Sequence, residues 1–356
     1  MNKAVAISAA AVAVLTVAGC ATQPVTFVKD TLKIQPTLFS NPGESFSVMD
    51  GLAIDANNHI VMAVPNYLTF DKHGAKIVTM DKDGQIISTF SDLPKNKVTG
   101  KVHPMGIEFG PDGNLYIADN QCFSTSEAES RILRLNYKNG KPTTCDVVVE
   151  GTYVSNAIRW KGNDLYLTDS ILQNLGGGGN MSGVMRFSLD ELSQGHPIKA
   201  DQEKHLITTY EGVPGGFGAD GLSFDKDGNM YCGCFAGGQF FKTTFKKDGS
   251  VKQTVRIINS PAFKCCDGMI CDKEADVIYT TDSKMNAVWK LDLKNNVMQR
   301  LWENPDATGE DGSLDQPCEP LIYGDKLLVV NFDYTFPGLM NRENDDFNTI
   351  SQFKIK

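Results

Sequence analysis

The chain has 356 residues, 41% hydrophobic and 22% charged, an ordinary globular composition that excludes a disordered, collagenous or multi-span membrane protein. Asp and Glu number 43 against 34 Lys and Arg, a formal charge of −9. With no basic run interleaved with aromatics, this argues against nucleic acid as a partner.

The first segment reads as an export leader. Lys3 precedes an uncharged apolar stretch from Ala4 to Val17, which suits the h-region of a secretory signal and is short for a membrane span. Val17-Ala18-Gly19-Cys20 resembles the lipobox of bacterial lipoproteins, in which the cysteine thiol takes the lipid. That resemblance implies a signal peptide over residues 1–19, lipidation at Cys20 and attachment to a membrane. Ala21 after the cysteine, in place of aspartate, implies the outer membrane. Residues 20–45 are then tether, and Val25 to Leu38, with the alternating stretch Thr26-Phe27-Val28-Lys29, is a candidate ring-closing strand.

From residue 46 to 356 one phrase recurs: a ring-phase residue, often followed by Gly, then an apolar strand, a polar turn and a second strand closing on Asp or Asn. The copies start at Asp50, Met105, Asn156, Asp220, Asp267 and Glu319, spaced 55, 51, 64, 47 and 52 residues apart. Such spacing fits four-stranded propeller blades, and six of them. Third strands are expected at Ser130-Tyr137, Val184-Leu189, Gly238-Phe245 and Ala287-Leu293. Fourth strands follow at Asp146-Glu150, Lys204-Thr209, Lys252-Ile258 and Val297-Trp302. Only Leu189-Leu192 hints at a helical turn. Asp81-Lys82-Asp83-Gly84 and Asp225-Lys226-Asp227-Gly228 read as hairpin turns, since neither continues into an EF-hand loop. Residues 304–316, rich in Asp and Gly, and Leu175 to Gly183, with four consecutive glycines, read as rim loops. The last copy ends at a third strand, Thr349-Ile355, so the segment before residue 38 is expected to complete it. The fold expected is an all-β, six-bladed β-propeller closed by its N-terminal segment.

Apart from Cys20 there are eight cysteines, an even number that in an exported chain reads as disulfides. Cys122 with Cys145 is the best local pairing, because both fall in blade two. Cys318 with Cys265 or Cys266 is another, because starts of neighbouring inner strands lie near each other. No CxxC knuckle supports a thiolate metal site.

In a propeller the inner strands line a central channel, so the six ring residues converge near one mouth. Four carboxylates and one amide there repel one another unless a cation is bound, and an oxygen-only set suits Ca²⁺ or Mg²⁺ better than Zn²⁺. The competing reading is that the Asp-Gly pairs only start strands after tight turns; Asn156-Ala157 and Glu319-Pro320 at the same phase do not fit it. There is no HExxH and no GxSxG, so zinc-protease and α/β-hydrolase chemistry is not indicated.

These six phrases resemble the family of senescence marker protein, gluconolactonase and luciferin-regenerating enzyme, over about Asp50 to Lys356. Ala219-Asp220-Gly221-Leu222-Ser223-Phe224-Asp225 is the strongest piece, with Asn156 to Ser170 next. The resemblance implies one divalent cation, calcium ahead of magnesium or zinc, held by Asp50, Asn156 and Asp220, with Asp267 and Glu319 in an outer shell. It also implies hydrolysis of lactones or related cyclic esters, with Asp220 as the general base. Pro104-Met105-Gly106 departs from the Asn-Asp-Gly the family often has in blade two, leaving Met105, His103 and Lys101 to face a small-molecule substrate. An apolar Met there suits a less polar ligand. A non-catalytic propeller that binds a ligand or a protein is the alternative.

Overall fold

The computed structural model describes residues 25–172, 181–214, 216–258, 260–345 and 348–356. The leader, Cys20 and most of the glycine-rich stretch at Leu175 to Gly183 lie outside the described residues.

Six sheets follow one another along the chain, each built on four antiparallel strands; these are in chain order in five sheets, the sixth takes its outer strand from the N-terminal segment, and two sheets carry a fifth, parallel strand. The inner strands are Leu52–Ile54, Pro104–Phe109, Ser155–Lys161, Ala219–Phe224, Met269–Asp272 and Pro317–Tyr323. The expected third and fourth strands form in place, for example Ser130–Lys138 and Lys141–Thr152 in blade two. The helical turn at Leu189–Leu192 also forms, capped reciprocally by Ser188 and Glu191. Asp81 and Asp225 sit in hairpin turns, where each Oδ1 accepts two backbone N–H groups.

The ring is held by six apolar clusters, each shared by two neighbouring blades. Phe46, Val64, Leu321 and Ile350, for example, join blades one and six, as Tyr231, Phe240, Met269 and Trp289 join four and five. A flat blade exposes two apolar faces, and each is buried only by its neighbour, so closure of the ring completes the core.

Closure comes from the N-terminal segment. Thr37–Ser40 pairs antiparallel with Ile350–Lys354, the third strand of blade six, and supplies its missing fourth strand. The stretch Thr26–Val28 does something different from the sequence expectation. It runs parallel to Val297–Glu303 on the outer edge of blade five, with Phe27 packed edge-on against Trp289 at 5.9 Å. One segment therefore covers two exposed sheet edges in succession.

The disulfide expectation is corrected. All eight cysteines from Cys122 to Cys318 are free thiols. Cys145 pairs with Leu135, which lies opposite Leu115 at the start of the second strand, whereas Cys122 lies beyond that strand's end at Asp119. Four residues of strand separate those levels, about 13 Å, far outside disulfide reach. The ring-phase cysteines point apart. Cys266 Sγ lies 3.1 Å from Thr280 Oγ1 and against Gly233 of blade four, while Cys318 Sγ lies 3.6 Å from the Met49 carbonyl, toward blade one. Burial pushes the Cys265, Cys266 and Cys318 thiols well above their usual range.

Candidate active site

A local irregularity aims the ring residues. In blades two, three, four and six the pairing of the first two strands slips between Pro104 and Ile107, Ser155 and Ile158, Ala219 and Leu222, and Pro317 and Pro320. A bulge re-aims the side chain within it, and the bulges contain Met105, Asn156, Asp220 and Glu319. The Gly that follows in several copies answers to the next blade, not to a turn. Gly51, Gly106 and Gly221 have no positive φ. A Cβ on them would stand 2.3, 2.4 and 2.2 Å from the carbonyl oxygens of Met105, Asn156 and Asp267 respectively. Neighbouring inner strands are too close for a side chain, which removes the tight-turn reading of Asp-Gly.

Asp50, Met105, Asn156, Asp220 and Asp267 share one cavity of about 50 Å³ at this mouth. Asp50 is 6% exposed and Asp220 4%. Burial, then repulsion from Asp267, Asp50 and Glu319, holds the Asp220 carboxyl well above the usual range, against a hydrogen bond from Asn156. Asp50 is pushed up by burial and by the charges of Asp267 and Glu319. Asp267 rises to about 7 through burial, against the Ser283 hydroxyl that donates to its Oδ2 at 2.5 Å. Among the described residues, no Lys or Arg lines this cavity. Converging acids without a counter-cation, all oxygen donors, are a donor set that a hard divalent cation fits.

Glu319 stands apart from that set. Its carboxylate is bound by Arg159, both groups being buried, and the same guanidinium donates to the Met269 carbonyl at 3.0 Å. Arg159 belongs to blade three and Glu319 to blade six, so the pair spans the channel. Beyond it lies the cavity of the opposite mouth, lined by Arg159, Glu108, Lys273 and Lys356 among others. The structure therefore gives Glu319 a protein counter-charge in place of the outer-shell water expected from sequence.

The polar candidates of blade two are not brought to the cavity. His103 is 1% exposed; its backbone N–H donates to Asp119 at 2.7 Å, and its ring packs 4.3 Å from Tyr67 and 5.3 Å from Phe70. Burial lowers its pKa to about 4, so the ring is neutral. Lys101 Nζ rests 5.7 Å from the Phe70 ring. Met105 does line the cavity, among Phe123, Phe217, Phe235, Phe332 and Phe336. Tyr67 packs against Phe123 at 4.6 Å, Phe123 against Tyr334 at 5.3 Å, and Phe235 against Phe336 at 5.7 Å. Sequence reasoning missed this aromatic wall. A signal was present: Tyr67, Phe123, Phe235 and Phe332 each come within a few residues of the end of a second strand.

Comparison with known proteins bears on this site. Residues 106–266 match the family model described as SMP-30/Gluconolactonase/LRE-like region. The chain thus carries a gluconolactonase-like region. The matched stretch contains Asn156 and Asp220, the amide and the carboxylate that meet in the cavity. Among solved structures, the calcium-binding protein regucalcin from Agrobacterium tumefaciens superposes with a TM-score of 0.58 at 14% identity, covering 93% of this chain and 95% of its own. A gluconolactonase from Xanthomonas campestris gives 0.55 at 12%, covering 95% and 99%. The PQQ-bound aldose sugar dehydrogenase from Streptomyces coelicolor gives 0.57 at 15%, covering 90% and 98%. At such identities the likeness establishes the propeller, which serves hydrolytic and redox proteins alike. No curated protein matches in sequence. The wall of this site is apolar and aromatic around an acidic floor.

Proposed function

We propose that the protein is a divalent-metal-dependent hydrolase of lactones or related cyclic esters, anchored in the outer membrane through lipid on Cys20. The observation that carries the reading is the meeting of Asp220, Asn156, Asp50 and Asp267 in one buried cavity that, among the described residues, no cationic side chain lines. Asp50, Asn156 and Asp220 would hold the cation, calcium before magnesium or zinc. Such a cation, when bound, supplies Lewis-acid polarisation of a carbonyl and makes water more acidic. Asp220 accepts the proton of the attacking water, and the Asn156 amide fixes the orientation of its carboxylate. Asp267, held by Ser283, keeps a further acceptor at the floor. The phenylalanines exclude bulk water and set the preference. Together with Met105 they favour a ring carrying an alkyl or aryl group over a polyhydroxylated sugar lactone.

The test is hydrolysis of a panel of γ- and δ-lactones graded from sugar lactones to alkyl-substituted ones. Activity that disappears with a chelator, returns with calcium and favours the alkyl members is expected. Metal binding without turnover of any ester moves the protein to the alternative, a ligand-binding propeller. One observation favours that alternative: among the residues lining the cavity there is no Lys, Arg or His to protonate a leaving alkoxide. Intact-mass analysis of the envelope fraction checks the anchor, since an unmodified Cys20 refutes it.

A further inference from the structure

Three aspartates meet at the rim of blade six, outside the axial cavity. Asp315 ends the loop of residues 304–316, Asp333 follows the strand Lys326–Asn331, and Asp345 lies in the segment leading to the last strand. Their carboxylate oxygens lie within 4.8 Å of one another. The backbone is built to bring them there. Asn331 Oδ1 accepts the Asp315 N–H at 3.0 Å, and Asp333 accepts the Asn341 amide at 3.1 Å and the Asp345 N–H at 2.9 Å.

Two of the three acids are buried without a counter-charge among the described residues. Asp315 and Asp333 are both fully buried, and among the described residues neither pairs with a Lys or Arg. Among the described residues, neither carboxylate oxygen of Asp315 has a hydrogen-bond partner. Asn341, 2% exposed and in contact with Asp333, likewise leaves its Oδ1 unmet. Each unmet buried acceptor has lost its water without gaining a donor, and the penalty is larger when the group is charged. Burial, then the charges of Asp333, Asp345 and Asp306, pushes the Asp315 carboxyl up to about 9, and burial takes Asp333 to about 7. A fold seldom assembles three such acceptors with no donor to meet them.

We propose that Asp315, Asp333 and Asp345, with the Asn341 side-chain oxygen, form a second cation site that takes calcium. Two oxygens on one ion stand no farther apart than twice the metal–oxygen distance, about 4.6–5.2 Å for Ca²⁺ and about 4.0–4.2 Å for Mg²⁺. One oxygen from each aspartate lies within 4.8 Å of the others, close enough for a single calcium ion to bridge all three. The site does not depend on the axial one, yet it adjoins its wall. Gln316, next to Asp315, and Phe336, between Asp333 and Asp345, both line the axial cavity. Gln316 Oε1 also accepts the Tyr334 N–H at 2.6 Å. An ion here ties two rim loops together and fixes one side of the substrate pocket.

Equilibrium dialysis of the full chain against calcium, with metal counted by mass spectrometry, tests this. The wild type should hold two ions and Asp315→Asn/Asp333→Asn one. Without metal that double variant should melt at or above the wild type, because a buried repulsion is gone, and calcium should raise its Tm less. Asp345→Asn, a change at the half-buried member, should weaken the second ion tenfold or more. A double variant that binds as many ions as the wild type, with equal affinity, overturns the proposal and leaves the axial reading standing. If instead Asp220→Ala keeps both ions, the axial reading fails and this site stands.

Discussion

Replacing Gly221 by Ala tests the geometry on which the axial site rests. The new Cβ would stand 2.2 Å from the Asp267 carbonyl oxygen, 3.0 Å from the Gly268 carbonyl carbon and 3.1 Å from the Met269 nitrogen. All three are backbone atoms of the next inner strand, so no rotamer change relieves the contact, and about 1 Å of strand displacement is required. That strand cannot retreat freely, because Gly268 is itself closed in by the Cys318 carbonyl, 2.6 Å from where its Cβ would lie. Overpacking in a yielding core costs about 1–3 kcal/mol; against backbone on a closed ring the cost should be about 3 kcal/mol or more. Asp220 and Asp267 flank the contact, so calcium affinity should fall at least tenfold with it. Urea unfolding and calorimetric titration are the assays. Gly113→Ala is the control, since at φ 78° it carries backbone strain with no atom near its Cβ, and its cost should stay near 1 kcal/mol with metal binding unchanged. A Gly221→Ala protein that unfolds within about 1 kcal/mol of the wild type would refute the close approach of the inner strands.

Further outcomes follow from the same contacts. Asp267 and Asp333 are raised to about 7 and Asp315 to about 9, so the fold retains protons that the unfolded chain releases near pH 4. The metal-free protein should accordingly be most stable at the acid end and lose stability as pH rises through 7 to 9. Melting in chelator at pH 5 and pH 8.5 checks the sign, and calcium should narrow the gap. Asp220→Asn should keep the fold and part of the metal while losing most lactone turnover, because an amide is no general base, and Asp220→Ala should lose the axial metal as well; unchanged turnover in Asp220→Asn removes it from the chemistry. Arg159→Met leaves Glu319 buried and unpaired and should cost about 3–5 kcal/mol, most of it recovered by adding Glu319→Gln; denaturant titration of the single and double variants measures this. Deleting residues 25–40 exposes the edges of Ile350–Lys354 and Val297–Glu303 and should broaden the melting transition and produce aggregates on size exclusion. A monodisperse, cooperative truncation contradicts the closure.

The six-bladed ring was legible because each blade repeats one demand: a ring residue, an apolar strand and a polar turn. Asp50, Met105, Asn156, Asp220 and Asp267 could be placed in one cavity from phase alone. Phase does not report partners, however, and so Glu319 was assigned to water when Arg159, at an unremarkable position inside blade three, neutralises it. The aromatic wall was hidden for a related reason: Phe217 and Phe336 come from loops of unequal length that share no register. Compartment chemistry misled the reading of the cysteines, since parity says nothing of direction and Cys266 and Cys318 point to opposite neighbours. The stretch Thr26–Val28 alternates as an edge strand should, but two blades offered an edge, and the choice lay in the fit of Phe27 to Trp289.

The axis of the propeller shows how one packing constraint generates the chemistry. Because inner strands crowd together, each bulge turns a side chain inward, and acids placed there can neither reach bulk water nor separate. In the middle of the channel Arg159 meets Glu319, and Glu108 beside it rises to about 7 through burial. That level is closed electrostatically and needs nothing further. At the mouth Asp50, Asp220 and Asp267 have no such cation, though the same fold could have supplied one at Met105, whose position faces the same cavity. An arginine or lysine there would neutralise the acids and would leave a structural plug like the one below. Methionine leaves the charge unmet and the cavity partly apolar. The two levels therefore differ in whether the negative charge has been satisfied by the chain, and the unsatisfied level is the one at which the proposed cation would find its ligands.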